Sequence, residues 1–343
     1  MEVTVRSPRA AFALLSLTLS LTFVLAACQG ETPPPPPPPP PDWLWVSVWS
    51  QNKLLAFDDE QLLSGATGAQ AALAIGLGSG RSPYGFDFDA DGDLWVGTQE
   101  GELLEYDSAD IATSGTPEPV SDLPTGSAHV AGVRIAPDGT LWATMQGKLL
   151  AWRATTLAAG GSPAPDVTLT SASPFMTLYP NDLAFDEEGG LWVVGTESVL
   201  RFAPAQLETG GEVEPDVVIS SDGTSLAGPM GLAFDASGDL WVSNLSSNVV
   251  EKFRRQDLLA SGSPAPIVSL QVPGTYKVRV AFDSEDRMYV SHLYGPSFGP
   301  SGYVAVVSPP NRVTSGAAPV SAEFAELGSI DAGGAMAFRP GPE

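Results

Sequence analysis

The most regular stretch of this chain, residues 229–244, reads PMGLAFDASGDLWVSN. Leu232 and Phe234 alternate with a small residue, Ser237-Gly238-Asp239 has the composition of a turn, and Leu240-Trp241-Val242 begins a second apolar segment. Apolar alternation with a period of two on either side of such a turn is typical of a β-hairpin. The stretch therefore predicts two short antiparallel strands.

The same hairpin pattern returns along the chain at a nearly constant spacing. Its second segment carries an aromatic residue every 47 to 50 residues, at Trp45, Trp95, Trp142, Trp192, Trp241 and Tyr289. A period of this length, with several strands in each unit, is typical of a β-propeller. Six such units occupy residues 43–343, and we therefore predict a single all-β domain of six blades.

Each unit continues beyond the hairpin with two further strand signals. A third apolar segment ends at Phe57 in the first unit and at Phe253 in the fifth. A short helical turn and a glycine follow, and an outer segment such as Ile267 to Leu270 completes the unit. Proline before the outer segment is compatible with an edge strand. The pattern predicts four strands in each blade.

The unit that begins at Trp43 has no inner strand in front of it. A matching segment, Ala335-Met336-Ala337-Phe338, stands at the other end of the chain. We expect a strand within residues 334–339 to pair with the strand that begins at Trp43, so that one blade is built from both ends of the domain. Such pairing closes the ring with hydrogen bonds and leaves no open sheet edge at the seam.

Charge and cysteine content narrow the range of partners. The chain has 343 residues, a formal net charge of −24 and only 16 lysine and arginine residues. A surface of this charge repels nucleic-acid phosphates and anionic lipid head groups, so we expect no nucleic-acid partner. Cys28 is the only cysteine, which excludes a disulfide within the chain.

Residues 1–27 have the layout of an export signal, with two arginines before an apolar run that ends in small residues. Leu25-Ala26-Ala27-Cys28 resembles the lipobox of bacterial lipoproteins. The resemblance implies that the leader is cleaved before Cys28 and that acyl chains on this cysteine anchor the protein to the bacterial cell envelope. Gln29 favours the outer membrane where there is one. An uncleaved signal anchor is the alternative, since about 18 apolar residues could span a bilayer.

A run of nine prolines, Pro33 to Pro41, follows the cysteine. Proline fixes φ and lacks an N–H, so the run forms a polyproline II rod of roughly 28 Å at about 3.1 Å per residue. Residues 28–42 are therefore predicted to be a stiff spacer that holds the propeller away from the membrane. Recognition by an SH3-like domain is the alternative.

The repeated AFD-x-x-GDLWV segments resemble NHL-repeat proteins and the SMP-30/gluconolactonase/LRE-like propellers over residues 43–343. In SMP-30-like lactonases a divalent metal is bound by Glu, Asn and Asp side chains just before the inner strands. The equivalent positions here are Tyr84, Ala131, Asn181, Met230, Val278 and Gly334. Only Asn181 keeps the family's Pro-Asn pattern, and a hard cation needs several oxygen ligands. We therefore predict no cofactor, with a Ca²⁺ or Zn²⁺ site near Asn181 and Asp182 as the alternative.

Two further motifs resemble functional sites but stand in the wrong context. Residues 87–93 carry four aspartates at alternate positions, as a calcium loop does, yet Thr98 stands where an EF-hand needs a glutamate. Residues 295–299 match G-x-S-x-G, but that motif requires a strand–turn–helix elbow and here lies in a loop rich in glycine and proline. We predict a turn for the first motif and no catalytic residue from either.

The loops before the inner strands and the loops between second and third strands open on one face of a propeller, which is the default position of its binding site. The sixth unit inserts residues 293–302 on this face. The candidate binding residues at this mouth are Tyr84, Met145, Asn181, Asp182, Met230, His292, Tyr294 and Phe298. Aromatic and methionine side chains around a mouth are typical of a recognition surface.

These features together predict a lipid-anchored propeller that binds an envelope protein or a small ligand. A metal-dependent hydrolase of the SMP-30 type, or a lyase such as the streptogramin lyases, is the alternative. A purely structural envelope protein is a third hypothesis, which predicts that replacing Tyr294 and Phe298 has no cost to fitness.

Overall fold

The computed structural model describes residues 42–63, 71–171, 181–294, 303–325 and 334–340. The predicted leader, Cys28 and the proline run lie outside these residues, as do the G-x-S-x-G motif and Phe298. What the sequence predicts for them therefore remains a prediction.

The described part of the chain forms six sheets, and each is built on four antiparallel strands in the order inner, second, third and outer. Blade 1 contains β26 (Met336–Pro340), β1 (Asp42–Val48), β2 (Lys53–Phe57) and β3 (Leu73–Gly76). Blade 2 contains β4 (Pro83–Phe88), β5 (Leu94–Thr98), β6 (Leu103–Tyr106) and β7 (Ser121–Leu123). Blade 3 contains β8 (Val130–Ile135), β9 (Leu141–Met145), β10 (Lys148–Trp152) and β11 (Val167–Thr170).

The other three blades repeat this arrangement. Blade 4 contains β12 (Leu183–Phe185), β13 (Leu191–Gly195), β14 (Ser198–Phe202) and β16 (Val217–Ser220). Blade 5 contains β17 (Pro229–Phe234), β18 (Leu240–Asn244), β19 (Val250–Phe253) and β20 (Val268–Gln271). Blade 6 contains β21 (Thr275–Phe282), β22 (Met288–Tyr294), β23 (Tyr303–Val307) and β25 (Ala322–Ala325). The predicted six-bladed β-propeller is confirmed.

Helices are short and connect the third strands to the outer strands or follow the second strand. The α-helices are α1 (Asp59–Leu63), α2 (Ala154–Ala158) and α3 (Pro204–Thr209). The 3₁₀ turns are Trp49–Gln51, Arg255–Leu258 and Pro309–Arg312. Among the described residues, no helix has the length and apolar character needed to cross a membrane.

The first blade is closed by both ends of the domain, as predicted. β26 pairs antiparallel with β1, and this register places Ala337 opposite Trp45. Ala335 adds two bonds beyond the strand, because its carbonyl accepts the N–H of Ser47 at 3.0 Å and its N–H donates to the Ser47 hydroxyl at 3.0 Å. The closing strand is Met336–Pro340, so it begins two residues later than the predicted segment 334–339.

Neighbouring inner strands contact one another around the whole ring, from β26 through β4, β8, β12, β17 and β21 back to β26. The approach is close enough to require glycine, since a Cβ on Gly231 would lie 2.7 Å from the carbonyl oxygen of Val278. Hydroxyls of the second strands bridge the blades. Ser243 donates to the Val278 carbonyl at 3.1 Å, and Ser291 donates to the Gly334 carbonyl at 2.9 Å. The second bond crosses the seam between blades 6 and 1.

The recurring aspartate of the AFD segments caps the turn of its blade and binds the aromatic residue of the second strand. In blade 5, Asp235 accepts the N–H groups of Ser237 and Asp239 through Oδ1 and the indole N–H of Trp241 through Oδ2, at 2.9, 3.1 and 2.8 Å. Three further blades repeat the aromatic bond, from Trp95 to Asp89 at 3.1 Å, from Trp192 to Asp186 at 2.8 Å and from Tyr289 to Asp283 at 3.0 Å. Asp89 belongs to the segment that resembles a calcium loop, and there it caps a turn.

A serine–glycine segment of the following blade covers part of several outer strands. Gly115 accepts the N–H of Gly76 at 2.8 Å and donates to Ala74 at 3.0 Å, while the Ser114 hydroxyl accepts the N–H of Ala74 at 3.0 Å. Equivalent parallel contacts join Gly262 to Ile219, β15 (Gly211–Glu212) to β11, and β24 (Gly316–Ala317) to β20. Occupied edge groups are less able to recruit a strand from another molecule.

We expect a chain that ends at Gly333 to melt about 10 °C or more below the full chain, because loss of β26 uncovers Leu44 and Val46, which are 1% and 0% exposed. The control ends at Pro340 and removes only residues 341–343. Thermal unfolding followed by circular dichroism measures the difference. Equal melting of the two truncated chains would show that β26 does not stabilise the ring.

Candidate functional site

A network of charged side chains, of which Asp182 and Arg279 are buried and Asp87 and Arg134 are partly exposed, lies at the inner strands. Oδ1 of Asp182 lies 3.7 Å from Nη2 of Arg134, and Oδ2 lies 3.6 Å from Nε of Arg279. Nη1 of Arg134 is also 3.8 Å from Oδ2 of Asp87. The four side chains come from blades 2, 3, 4 and 6, and their two positive charges balance their two negative charges. Burial raises the pKa of Asp87, although the charge of Arg134 opposes that shift.

The same network holds the backbones of neighbouring blades. Asp87 accepts the N–H of Ile135 in the next blade at 2.9 Å. Nε of Arg134 donates to the carbonyl of Leu183 at 3.2 Å, and Asp182 accepts the N–H of Leu232 at 3.2 Å. Each bond reaches one blade further round the ring, so these polar side chains set the spacing of the inner strands.

Arg279 connects the network to the face of the propeller that carries the loops before the inner strands. It is 3% exposed, and its Nη1 and Nη2 donate to the carbonyls of Met230 and Asn181 at 3.1 and 2.8 Å. Its guanidinium carbon lies 5.8 Å from the centre of the Tyr84 ring, a cation–π contact. One buried guanidinium therefore fixes residues of blades 2, 4 and 5.

A cavity of about 700 Å³ opens on this face, next to the network. Its walls are the first residues of the inner strands of blades 2 and 5, the segments just before the inner strands of blades 3, 4 and 5, and the turns between the second and third strands of blades 2 to 5. Amide and hydroxyl side chains dominate its polar lining, from Gln99, Ser127, Gln146, Asn181, Thr196 and Ser246. The ionisable side chains among the described lining residues are Tyr84, His129 and Glu197.

His129 and Tyr84 form an aromatic wall of this cavity. Their ring centres lie 4.6 Å apart at an interplanar angle of 77°. Burial lowers the pKa of His129 and the nearby charge of Arg279 lowers it further, while a backbone hydrogen bond at Gln99 and the charge of Glu100 oppose the shift. The imidazole is therefore neutral at pH 7, with one nitrogen that donates and one that accepts a hydrogen bond.

Three of the predicted binding residues meet at the cavity, and a fourth lies directly beneath it. Tyr84, Asn181 and Met230 line the cavity, and the amide nitrogen of Asn181 lies 3.3 Å from the Met230 sulfur. Asp182 is 5% exposed and belongs to the charge network. Phe298 lies outside the described residues.

Met145 and His292 lie in the core instead of at the mouth, and both are 0% exposed. Met145 is the last residue of β9 and packs in the hydrophobic cluster between blades 2 and 3. Because side chains alternate along a strand, the next residue, Gln146, reaches the cavity. Tyr294 ends β22.

His292 stands opposite Lys277 in the register of β21 and β22. Lys277 is fully buried, and its Nζ donates to Oδ1 of Asn248 at 2.9 Å and to the carbonyl of Gly274 at 3.1 Å. Burial lowers the pKa of Lys277 to about 8. Burial and the charge of Lys277 lower the pKa of His292 well below its usual value. Both residues belong to the packed hairpin of blade 6.

Asn181 and Asp182 do not fit a divalent cation. Each carboxylate oxygen of Asp182 accepts a backbone N–H, at 3.0 and 3.2 Å, and faces an arginine. Two guanidinium groups at this distance repel a cation, and hard cations need several free oxygen ligands. The described segments also contain no cluster of three His, Cys, Asp or Glu side chains suited to a metal ion.

Sequence reasoning missed the amides of the cavity and the arginines of the channel. Gln99, Gln146 and Thr196 each follow the last residue of a second strand, so comparing that one position across the repeats would have found them. Arg134 is the one charged residue of the inner strand β8, and Arg279 lies in the inner strand β21 two residues after Lys277. A charged residue in such a strand is a signal for a buried ion pair, which the repeat comparison did not use.

No protein-family model matches this chain, and no curated protein matches it. Solved structures share its fold. A protein of unknown function from Bacteroides caccae aligns with a TM-score of 0.56 and 12% identity, over 84% of this chain and 99% of that chain. A streptogramin B lyase structure aligns with a TM-score of 0.50 and 12% identity, over 88% of this chain and 93% of that chain. At such identities the similarity defines the class of fold, a β-propeller.

We expect the stability that Lys277 confers to depend on pH. Because its pKa is about 8 in the folded protein and about 10.5 in the unfolded chain, the unfolded chain binds more protons between these values. The free energy of unfolding should therefore rise by about 1–3 kcal/mol from pH 7.5 to 10.5, relative to Lys277→Met. Urea unfolding at several pH values measures this difference.

The matched control is Arg254→Met, which removes an exposed cationic side chain and leaves Lys277 in place. Lys277→Met also loses the hydrogen bonds of Lys277 to Asn248 and Gly274. This loss lowers the free energy of unfolding by the same amount at every pH and does not change its dependence on pH. Parallel curves for the wild type and Lys277→Met would contradict the prediction.

Proposed function

We propose that this chain is an exported, lipid-anchored propeller that binds a ligand or a segment of an envelope protein in the cavity at the channel mouth. The observation that carries the proposal is a cavity of about 700 Å³, in which Arg279 contacts the lining residues Tyr84, Asn181 and Met230. A concave site that is formed before binding loses little conformational entropy when it is occupied. The lipobox-like Cys28 and the proline run support a position at the cell envelope, with the outer membrane favoured in a cell that has one.

The cavity chemistry favours a ligand that is uncharged or positively charged. Gln99 and Gln146 each offer a donor and an acceptor, and Glu197 contributes a negative charge. The donors of Arg279 are directed to backbone carbonyls, and the chain carries a net charge of −24. Anions are therefore repelled by the long-range field, and the described lining residues offer no lysine or arginine to bind them.

Site-specific photo-crosslinking in living cells tests the binding site. A p-benzoylphenylalanine at position 146 lies at the cavity, whereas the same residue at the exposed position 271 lies on the outer strand of blade 5. We expect a discrete adduct from position 146 that position 271 does not give. Equal labelling from both positions would count against a binding site at the mouth.

The envelope anchor is tested separately with Cys28→Ala. We expect the wild-type chain in the membrane fraction and Cys28→Ala outside it or with an unprocessed leader, because acylation and cleavage require the thiol. Mass spectrometry of the N-terminal peptide identifies the acyl chains. An unmodified cysteine in a membrane-bound wild type would favour the uncleaved signal anchor.

A second candidate function is an enzyme, a lyase or hydrolase that works in the same cavity. The observation that favours it is His129, whose lowered pKa leaves a neutral imidazole next to Tyr84 in the cavity wall. The neutral imidazole is the form that acts as a general base. The shared fold with a streptogramin B lyase is compatible with this candidate, although propellers of one fold serve many functions.

A cation titration separates the binding module from a metal-dependent enzyme. An ion that binds the folded protein would raise its melting temperature by mass action. The binding module has no ion site, so we expect millimolar Ca²⁺, Mg²⁺ or Zn²⁺ to shift the melting temperature by less than about 1 °C. A rise of several degrees that EDTA reverses and that Asn181→Ala abolishes would favour the enzyme. Asn248→Ala is the control, because Asn248 contacts Lys277 away from the cavity.

A further inference from the structure

Blade 3 lacks the carboxylate that binds its tryptophan. In blades 2, 4 and 5, an aspartate accepts the indole N–H of the second strand. Ala136 stands at that position in blade 3, because its N–H donates to Thr140 and its carbonyl accepts from Gly139, both at 2.8 Å. These are the same two turn bonds that frame Asp186 in blade 4. The turn of blade 3 therefore has the same backbone hydrogen bonds as that of blade 4 but lacks the carboxylate that accepts the indole N–H.

In the other blades the aspartate accepts both a backbone N–H of the turn and the indole N–H. Blade 3 keeps the bond to the turn through another residue and has no counterpart of the bond to the indole. Oδ1 of Asp138 accepts the N–H of Thr140 at 2.9 Å, as Oδ1 of Asp186 accepts the N–H of Gly190 in blade 4. Within the described parts of the chain, no group accepts the indole N–H of Trp142. Trp142 as a residue is 3% exposed, and the indole N–H of a tryptophan in such a position usually has an acceptor from the protein, from water or from a ligand.

Trp142 lines a cavity of about 290 Å³ between blades 3 and 4, at the end of the propeller opposite the mouth. Its walls are mostly apolar, from Ala136, Pro137, Val167, Phe185, Pro204 and Leu207. In the equivalent place of blade 4, the carboxylate that accepts the indole N–H of Trp192 lies in the wall of the neighbouring cavity. By this equivalence, the indole N–H of Trp142 points into the space that the missing carboxylate would occupy.

The cavity between blades 4 and 5, about 240 Å³, shows how the site is filled when the repeat is intact. Asp186 accepts the indole N–H of Trp192 at 2.8 Å and pairs with Nε of Arg201 at 2.6 Å. Ala136 and Ala151 stand at the positions of Asp186 and Arg201 in blade 3, since Ala151 lies opposite Trp142 as Arg201 lies opposite Trp192. The loss of both charged groups leaves no carboxylate or guanidinium at these two positions beside the indole of Trp142, and the polar lining that remains comes from Asp138, Thr140, Arg153 and Glu208.

We propose that the cavity between blades 3 and 4 binds a small apolar molecule with one hydrogen-bond acceptor, such as a carbonyl oxygen, placed on the indole N–H of Trp142. The apolar part of the ligand is buried between the blades, and the acceptor supplies the bond that the repeat has lost. Asp138, Glu208 and Arg153 also line this cavity, and the guanidinium of Arg153 donates to the carbonyl of Glu208 at 3.2 Å and lies 3.9 Å from Oδ1 of Asp166. Two carboxylates beside one paired guanidinium disfavour an anion. This site is separate from the channel mouth and does not depend on the function proposed above.

Two probes of the same shape test the role of the acceptor. Acetophenone carries a carbonyl oxygen, and α-methylstyrene replaces it with a methylene group. The readout is the indole N–H resonances of the ¹⁵N-labelled full chain, with that of Trp142 identified in Trp142→Phe. We expect acetophenone to move the Trp142 resonance downfield in a saturable way and to bind about fivefold or more tightly than α-methylstyrene. The resonance of Trp192, already bonded to Asp186, should not move.

Ala136→Asp restores the repeat and is the decisive variant. We expect it to abolish the acetophenone shift and, without any probe, to raise the melting temperature by about 2–4 °C. Ala158→Asp adds the same charge at an exposed position of α2 in the same blade, and it should do neither.

Three results would overturn the proposal. They are equal affinity of the two probes, no movement of the Trp142 resonance at saturating acetophenone, and binding that persists in Ala136→Asp. If Ala136→Asp does not fold, Trp142→Phe replaces it, with affinity measured by calorimetry. Loss of the preference for acetophenone in Trp142→Phe supports the proposal, and an unchanged preference overturns it.

Discussion

Pairing between the two ends of the domain is the contact on which the rest of this propeller depends. A blade of four strands covers its neighbours only while the ring is closed, because each blade packs against the one before and the one after it. β26 and β1 complete blade 1, and the Ser291 hydroxyl bond to Gly334 ties that blade to blade 6. The cavity at the mouth has walls from four blades, so its shape also depends on this closure.

Within the closed ring, charged side chains of different blades form ion pairs with one another. The chain has 40 acidic and 16 basic residues, and several of the basic ones pair with carboxylates inside the ring, such as the partly exposed Arg134 and the buried Arg279. Buried arginine is stable only where carboxylates and carbonyls satisfy its donors, as Asp182 and the carbonyl of Asn181 do here. Because the charges of the channel network cancel, they do not reduce the net charge of −24.

Departures from the repeat are the informative positions of this chain. Four blades use an aspartate to cap the first turn and to accept a hydrogen bond from an aromatic residue. Alanine at position 136 cannot accept this bond, so blade 3 lacks it. Blade 1 departs in another way, with Arg339 in the equivalent place and its guanidinium 5.3 Å from the Phe88 ring centre. Lys277 in blade 6 is a third departure, a buried amine bonded to Asn248 and Gly274. At Ala136 the two backbone hydrogen bonds of the turn are the same as those at Asp186, so this departure changes the side-chain chemistry and keeps the turn.

The amino-acid sequence alone determined the number of blades, the strands within each blade and the closure of the ring. These follow from alternation and turn residues within about 50 consecutive positions, where each signal depends on near neighbours in the chain. Tertiary structure decided which side chains meet across blades, because residues such as Arg134, Asp182 and Arg279 are brought together only by the curvature of the closed ring. It also decided that Gln146 lines the cavity while Met145 is buried, since one position along a strand reverses the direction of a side chain.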